Sequence, residues 1–418
     1  MINLKLIKLD YVLLIIGYII LGITSLAVIS VPALFFLPSQ IGTLGVCLSL
    51  QFILSQLFGS GFHFSALYYK SVSNSTQEDI YCTINSKLNV TVVSVLMGTI
   101  MFFSFPLLSN IYDNFLLDDF RFNLILSTVF IAINRVLFSE LNASKKFATI
   151  GKLYIAKSAV YLLILTLMML KIIDFKQYVN CQLLVPELII YLYYAFIVIK
   201  HFSISNDFQP FRYFKRDMYF GIKSIWGTIF LEASTKVDVL MLGVFVSPEK
   251  VGIYSIISMI SDLFLNISTA IRTFINPDIT LNFINNRQNF IKFIIQKVKF
   301  SYQILLPIIA CIIFSFYTVT NFIPKYYMYK EGFFALVLLC MFLALVSGFI
   351  PLMLTFGQIG KPNLQSINFL VLFLANVLLN YLLIPLYGIE GASIATGLSY
   401  LIYTLFFRTL LHYTKTQN

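Results

Sequence analysis

The sequence has little charge. Only 11% of its 418 residues are Asp, Glu, Lys or Arg, whereas 59% are hydrophobic, and the mean hydropathy is +0.87. A water-soluble domain carries about 25% charged residues, so this chain lacks the polar surface of a soluble protein. The composition therefore excludes a soluble globular protein and indicates an integral membrane protein.

The sequence also lacks the common catalytic and metal-binding motifs. It contains no G-x-x-x-x-G-K-[ST], which excludes ATP hydrolysis by the usual phosphate-binding loop, and neither H-E-x-x-H nor G-x-S-x-G. The five cysteines form no C-x-x-C pair and are expected to be free thiols. His63, His201 and His412 are too far apart in sequence to suggest a metal site. All predicted loops are short, so we expect no soluble catalytic domain and no enzyme.

Long apolar runs fill most of the chain. A helix needs about 20 apolar residues to cross the hydrocarbon core. With this length, spans are predicted at 11–37, 41–69, 86–108, 119–141, 150–173, 178–200, 218–246, 250–278, 293–320, 332–356, 362–386 and 390–411. Lys5 and Lys8 precede the first span without an A-x-A cleavage site, so we expect a retained helix and not a removed signal peptide.

The predicted spans fall into two sets of six. Between the sets lies the most polar stretch, residues 201–217, which contains Arg212, Lys215 and Arg216. The sequence therefore predicts an N-terminal six-helix lobe at 1–200, a cytoplasmic linker at 201–217 and a C-terminal six-helix lobe at 218–418.

Two short matches suggest that the lobes are copies of one unit. Pro38-Ser-Gln-Ile-Gly42 recurs as Pro248-Glu-Lys-Val-Gly252, and Ile150-Gly-Lys152 recurs as Ile359-Gly-Lys361. The offsets, 210 and 209, are nearly equal. Because each half has an even number of spans, the halves are expected to share one orientation as a parallel repeat, an arrangement typical of transporters that enclose a site between their halves.

The basic residues predict the orientation of the chain. Of the 29 lysines and arginines, three lie deep in predicted spans, 20 fall on the side of the N-terminus and six on the other side. Because basic residues accumulate in cytoplasmic loops, both termini are expected in the cytoplasm. The net charge of +11 is explained in the same way and does not indicate a nucleic-acid partner.

A series of short motifs runs through the second half. They are Asp238-Val-Leu-Met-Leu-Gly243, Val251-Gly-Ile-Tyr254, Gly360-Lys361, Asn376-Val-Leu-Leu-Asn380, Leu383-Ile-Pro385, Tyr387-Gly-Ile-Glu-Gly-Ala392 and Ala395-Thr396. In order and spacing the series resembles the polysaccharide flippases, which are Wzx-type O-antigen and capsule repeat-unit exporters of the multidrug/oligosaccharidyl-lipid/polysaccharide (MOP) superfamily. From the residues alone, most of these positions indicate helix packing, and Asn376 and Asn380 are expected to hydrogen-bond to a neighbouring helix.

The resemblance implies an all-α integral membrane protein of about 12 helices in two pseudo-symmetric six-helix lobes, a MOP/MATE-like fold. It implies a flippase that moves an undecaprenyl-diphosphate-linked oligosaccharide repeat unit across the bacterial cytoplasmic (inner) membrane by alternating access. The implied partners are this substrate, membrane lipid, and the polymerase and chain-length regulator of the same pathway. No cofactor is expected. Coupling to H+ or Na+, or consumption of the product outside, would supply the energy.

Cations within the spans are the candidate substrate-binding residues. A charge in the membrane is costly and marks either a cavity or an ion pair. Lys236, Arg272 and Arg135 are the candidates, because lysine and arginine suit the concentrated negative charge of a diphosphate. The alternative is that Arg135 and Arg272 extend to the membrane interface or fasten helices.

Acidic residues within the spans are candidates for ion coupling or for charge pairing. They are Asp262, Asp238 and Glu232. Glu232 lies four residues before Lys236, so a continuous helix would let the two side chains pair along one face. His63 is a further candidate for the cavity, although a packed histidine is the commoner case.

Three other functions have similar hydropathy. A MATE-type cation/drug antiporter is expected to have a predominantly acidic cavity, whereas here the deep cations and anions are about balanced. Lipid II flippases commonly have more spans. An integral-membrane O-antigen polymerase, which is an enzyme, usually carries a large outer loop, and this sequence has none.

Overall fold

The regular structure of this chain is helical. A computed structural model describes residues 4–71, 76–202, 211–285 and 289–416, and these ranges contain no strand. The α-helices, in chain order from α1 to α14, are Leu4–Ser30, Pro38–Gly59, Phe62–Ser71, Thr76–Ser109, Arg121–Ala143, Phe147–Met169, Phe175–Phe202, Phe214–Ser234, Val237–Phe245, Pro248–Asn285, Phe290–Phe322, Phe333–Val346, Thr355–Gln358 and Pro362–Thr416. The predicted all-α class is confirmed.

The helices account for the predicted membrane spans. Ten stretches of the described residues are long and apolar enough to cross a membrane. One of them, Pro362–His412, contains the predicted eleventh and twelfth spans, which are separated by non-helical backbone at Gly388 (φ +57°). The predicted seventh span corresponds to α8 and α9, which are shorter and more charged and are not among the ten. Each predicted span therefore overlaps helix, and three spans are divided between two α-helices. These are 41–69 (α2 and α3), 218–246 (α8 and α9) and 332–356 (α12 and α13).

Many large apolar side chains lie on the outside of the protein. Phe103 and Phe322 are each 76% exposed, and Leu107 is 73% exposed. A soluble protein does not expose apolar side chains on this scale. In a bilayer the same side chains contact hydrocarbon, and the helices satisfy their own backbone hydrogen bonds.

Contacts between residues divide the chain into two units. Unit 1 contains Met1–Phe35 and Cys47–Ile229, and unit 2 contains Phe36–Val46 and Phe230–Asn418. The start of α2 therefore groups with unit 2, and most of α8 groups with unit 1. The lobe boundaries predicted at 200 and 218 stay a prediction, and residues 203–210 of the predicted linker lie outside the described residues.

The first repeat match occupies equivalent positions in the fold. Pro38 begins α2 and Pro248 begins α10, and the two helix starts meet within unit 2. A Cβ atom on Gly42 would lie 2.2 Å from the carbonyl oxygen of Pro248, and one on Gly252 would lie 1.8 Å from that of Pro38. The approach is reciprocal and leaves room for no side chain at either glycine.

The second repeat match does not occupy equivalent positions. Gly151 lies inside α6, whereas Gly360 lies in the turn before α14 with φ +75°. The structural counterpart of Gly360 is Lys145, which has φ +54° and precedes α6. Both turns have the same pair of backbone hydrogen bonds, three and five residues back, as in a Schellman motif. The offset of 209 at this motif is therefore a coincidence.

Candidate functional site

The helix predicted at 218–246 is interrupted near its centre. α8 ends at Ser234, α9 begins at Val237, and Thr235 and Lys236 form the turn between them. The prediction of a continuous helix here was wrong, and with it the geometric basis for pairing Glu232 with Lys236. A helix interruption leaves backbone N–H and C=O groups without their helical hydrogen bonds. A membrane protein tolerates such groups where other groups bond to them or where they line a site.

Two asparagines of the C-terminal motif satisfy a backbone carbonyl group that the interruption frees. Asn376 Nδ2 donates to the carbonyl oxygen of Ser234, the last residue of α8, at 3.4 Å, and to Ser399 Oγ at 3.3 Å. Asn380 Nδ2 donates to Asn376 Oδ1 at 2.5 Å and so holds the amide of Asn376 in place. Both asparagines are fully buried on α14. The prediction of a hydrogen bond to a neighbouring helix is confirmed for Asn376, whereas Asn380 bonds to Asn376 on its own helix.

The interruption brings Lys236 to Asp262. Lys236 Nζ and Asp262 Oδ2 form an ion pair between the end of α8 and α10. The Lys236 residue is buried, and Asp262 is partly buried. Sequence analysis gave Asp262 as a candidate for ion coupling or charge pairing, and the structure shows it paired with Lys236.

Asp238 is held by hydrogen bonds. Its Oδ2 accepts from Tyr254 Oη of α10 at 2.8 Å and from Thr396 Oγ1 of α14 at 3.4 Å, and its Oδ1 accepts from the backbone N–H of Val239 at 2.8 Å. None of the ion pairs between described residues involves Asp238, which is buried. Asp238 therefore differs from Asp262, which forms an ion pair with Lys236.

Three other predicted residues have contacts on their own or neighbouring helices. In unit 1, Arg135 donates to Ser55 Oγ at 3.0 Å, and its guanidinium lies 5.7 Å from the centre of the Phe52 ring. The His63 ring lies against that of Phe64, with centroids 4.0 Å apart. In unit 2, Arg272 donates to Thr269 Oγ1 at 2.7 Å, one turn earlier on α10.

Unit 1 contains two ion pairs that sequence analysis missed, one buried and one partly buried. Lys157 of α6 pairs with Glu187 of α7, whose second oxygen accepts from Asn134 Nδ2 at 3.1 Å. Lys87 of α4 pairs with Glu140 of α5 at 3.1 Å. The 20 basic residues counted on the side of the N-terminus included both lysines. Their positions inside predicted spans were the available signal, since a charge there requires a partner.

The fold is that of MOP-superfamily transporters. A lipid II flippase, MurJ, in an inward closed conformation matches with a TM-score of 0.78 and 16% identity, over 96% of this chain and 87% of that chain. An inward-facing multidrug resistance MATE family transporter matches with a TM-score of 0.67 and 13% identity, over 97% and 95%. A MOP superfamily transporter from Pyrococcus furiosus matches with a TM-score of 0.59 and 13% identity, over 99% and 96%. These identities establish the shared fold.

Sequence comparison identifies the family within that class. The family model for polysaccharide biosynthesis proteins matches residues 10–280, from α1 into α10, which is more than half of the chain. The chain therefore belongs to the polysaccharide biosynthesis protein family, as the motifs of the second half predicted. A search of curated proteins finds no significant match.

Proposed function

We propose that this protein is a flippase for an oligosaccharide linked to undecaprenyl diphosphate, a repeat unit of O-antigen or capsule. The observation that carries the proposal is the family match across residues 10–280 on a MOP transporter fold. One of the matched structures is itself a lipid II flippase. The proposed location is the bacterial inner membrane, with both termini in the cytoplasm, in a pathway with a polymerase and a chain-length regulator.

The two ends of such a substrate differ in their solubility in the bilayer. The polyprenyl chain is soluble in hydrocarbon and can stay in the bilayer throughout, whereas the sugars and the diphosphate are costly to transfer. The protein therefore has to provide polar and cationic groups for the head group alone. We propose that alternating access exposes these groups to each leaflet in turn.

Lys236 is the proposed contact for the diphosphate. In the structure its charge is neutralised by Asp262. A diphosphate carries more negative charge than one carboxylate and offers more acceptor oxygens, so the substrate can displace Asp262 as the partner of Lys236. Protonation of Asp262 would favour the same exchange, which links a proton to substrate binding.

Asp238 is the proposed site for a coupling cation. It lies two residues beyond Lys236 at the start of α9 and accepts three hydrogen bonds. A proton or a sodium ion would neutralise its charge and compete with the hydroxyl donors of Tyr254 and Thr396. The ion gradient, and not a nucleotide, would then supply energy for transport.

Substitution of Lys236 tests the substrate contact. Export of surface polysaccharide, measured in cells that depend on this protein, should be lost for Lys236→Ala and partly retained for Lys236→Arg. Because Lys236→Ala leaves Asp262 without its partner, the double variant Lys236→Gln/Asp262→Asn serves as the folding control. It should accumulate in the membrane at the wild-type level and still fail to export. Lys250→Ala, in the exposed pair with Glu331, is the matched control and should export normally. Normal export by Lys236→Ala would eliminate the proposed contact.

A transport assay separates the flippase from a drug antiporter. Purified protein in proteoliposomes should translocate a fluorescent lipid-linked oligosaccharide, and cationic dyes should not compete. Transport of dyes without translocation of the lipid would instead assign the antiporter function.

The same assay tests the role of Asp262. If Asp262 exchanges a proton, Asp262→Asn should still bind substrate but its transport should no longer depend on the gradient. If the pair is purely structural, Asp262→Asn should lower the amount of folded protein, and the added substitution Lys236→Gln should restore it.

A further inference from the structure

The first half of α8 exposes a strip of basic and aromatic side chains. The strip consists of Lys215, Tyr219, Ile222, Lys223 and Trp226, all exposed, and we name it the α8 face. At 3.6 residues per turn these positions fall within about 100° of the helix circumference. Tyr219 is 65% exposed and Trp226 is 54% exposed. The spacing is therefore that of one continuous surface.

The opposite side of α8 is packed within unit 1. Asp217 is buried there and accepts from Asn89 Nδ2 at 3.3 Å and from Arg216. A Cβ atom on Gly61 would lie 2.3 Å from the carbonyl oxygen of Gly221, so the backbones are in direct contact at this point. Because this packing fixes the rotation of the helix, the α8 face is directed away from the rest of unit 1.

The side chains of the α8 face are ordered by depth along the helix. Lys223 Nζ lies 4.1 Å from the centre of the Tyr219 ring, so its ammonium group extends back by one turn towards the start of the helix. This is how lysine carries its charge to a membrane surface while its stem lies on apolar groups. The ammonium group of Lys223 thus comes to the level of Tyr219, and Ile222 and Trp226 lie on the other side, towards the middle of the helix.

This order matches the layers of a lipid surface. Tyrosine and tryptophan accumulate at the interface between headgroups and hydrocarbon, and basic residues beside a membrane helix attract anionic lipid. Asp217 is the acidic residue of the first turns of α8, and it is buried on the opposite side. The exposed charge of the α8 face is therefore positive.

We propose that the α8 face binds the headgroup of an anionic phospholipid, with its phosphate at Lys215 and Lys223 and its acyl chains along Ile222 and Trp226. The predicted orientation of the chain places this lipid in the cytoplasmic leaflet. The proposal does not rest on the transported substrate. It assigns a lipid to the helix that ends at the interruption before Lys236.

Trp226 is the single tryptophan of the chain and reports on this surface directly. The full-length protein is placed in phosphatidylcholine nanodiscs that contain a minor fraction of either dibrominated phosphatidylglycerol or dibrominated phosphatidylcholine. Bromine quenches tryptophan only on close contact. We expect stronger quenching by the brominated phosphatidylglycerol, with a preference of about five-fold for each lysine.

Charge variants then test the two lysines. In Lys215→Gln/Lys223→Gln the difference between the two brominated lipids should disappear, while quenching by brominated phosphatidylcholine stays at the wild-type level. The matched control is Lys146→Gln/Lys152→Gln, which removes the same charge from exposed positions of unit 1 and should keep the preference. Equal quenching by both lipids in the wild type would overturn the selectivity. Absence of quenching by either would show that the α8 face contacts water and would overturn the proposal.

Discussion

The first helix of the N-terminal repeat is continuous, whereas the first helix of the C-terminal repeat is interrupted. α1 runs without interruption from Leu4 to Ser30, whereas its counterpart is divided into α8 and α9. At the offset of 210, Lys236 corresponds to Leu26 and Asp238 to Val28. The first copy is thus an apolar helix and the second an interrupted, charged one. A duplicated fold can keep one copy for packing and place the chemistry in the other, and this contrast predicts different effects of equivalent substitutions.

The largest effect is expected at an ion pair of unit 1 whose carboxylate is buried. Lys157→Ala leaves the carboxylate of Glu187 buried and without its cation, which should lower the free energy of unfolding by about 3–5 kcal/mol. The double variant Lys157→Met/Glu187→Leu should recover most of this loss, because a well-packed apolar pair can replace a buried ion pair. Thermal unfolding in detergent measures both. The control is Lys176→Ala, whose pair with Asp119 is about half exposed and should contribute less than about 1 kcal/mol.

A double variant as unstable as Lys157→Ala would contradict a structural role for the pair. It would show that unit 1 needs these charges for its own fold or function. The contrast between a packing copy and a charged copy would then be weaker.

Making α1 resemble α9 should destabilise the protein. Val28→Asp introduces at the position equivalent to Asp238 a carboxylate that lacks the Tyr254 and Thr396 donors. Val28 is buried two residues before the end of α1, so an aspartate there should cost less than the about 2.5–3.5 kcal/mol expected at the centre of a membrane helix. The amount of folded protein, measured by size-exclusion chromatography, should fall well below that of Val28→Asn. Equal amounts for the charged and neutral variants would show that α1 tolerates charge as α9 does.

The interruption should depend on Asn376. Asn376→Leu removes the donor to the last carbonyl group of α8, and a buried unsatisfied carbonyl costs about 1–3 kcal/mol. Thermal unfolding should show this loss, and transport should decline with it because the position of Lys236 depends on the turn. Leu378→Ala, an exposed position on the same helix, is the control. An unchanged melting temperature for Asn376→Leu would mean that other groups hold the turn.

The smallest effect is expected at the longest hydrogen bond to Asp238. Thr396 Oγ1 lies 3.4 Å from the carboxylate, whereas Tyr254 Oη lies 2.8 Å from it. Thr396→Val should therefore cost less than about 1 kcal/mol, and Tyr254→Phe should cost more. The reverse order in thermal unfolding would contradict this description of the site.

Hydropathy predicted where the apolar helices lie, because a bilayer fixes their length and composition. It could not predict the interruption at Thr235 and Lys236. Neither residue is glycine or proline, and an average over about 20 residues conceals a turn of two. The turn exists because Asn376, 142 positions later, satisfies the carbonyl group that it frees.

The sequence also could not predict which charged residues form ion pairs. The partners of Lys157 and Lys87 lie on other helices and are fixed by packing alone. The same holds for Arg121, one of the six basic residues counted on the side opposite the N-terminus. Its guanidinium donates to the carbonyl oxygen of Phe102, whose usual helical partner would be the N–H that Pro106 lacks. Such contacts join residues that are distant in sequence and close in space, and a sequence pattern does not show which residues these are.

The most direct test of the central claim is ion-driven translocation by purified protein with and without the Asp238 carboxylate. Wild-type protein and Asp238→Asn are reconstituted in liposomes, and movement of a fluorescent lipid-linked oligosaccharide is followed under an imposed sodium or proton gradient. The wild type should respond to one of the gradients. Asp238→Asn should retain substrate binding and lose that response. Equal gradient-driven translocation by both proteins would contradict the assignment of coupling to the interrupted helix.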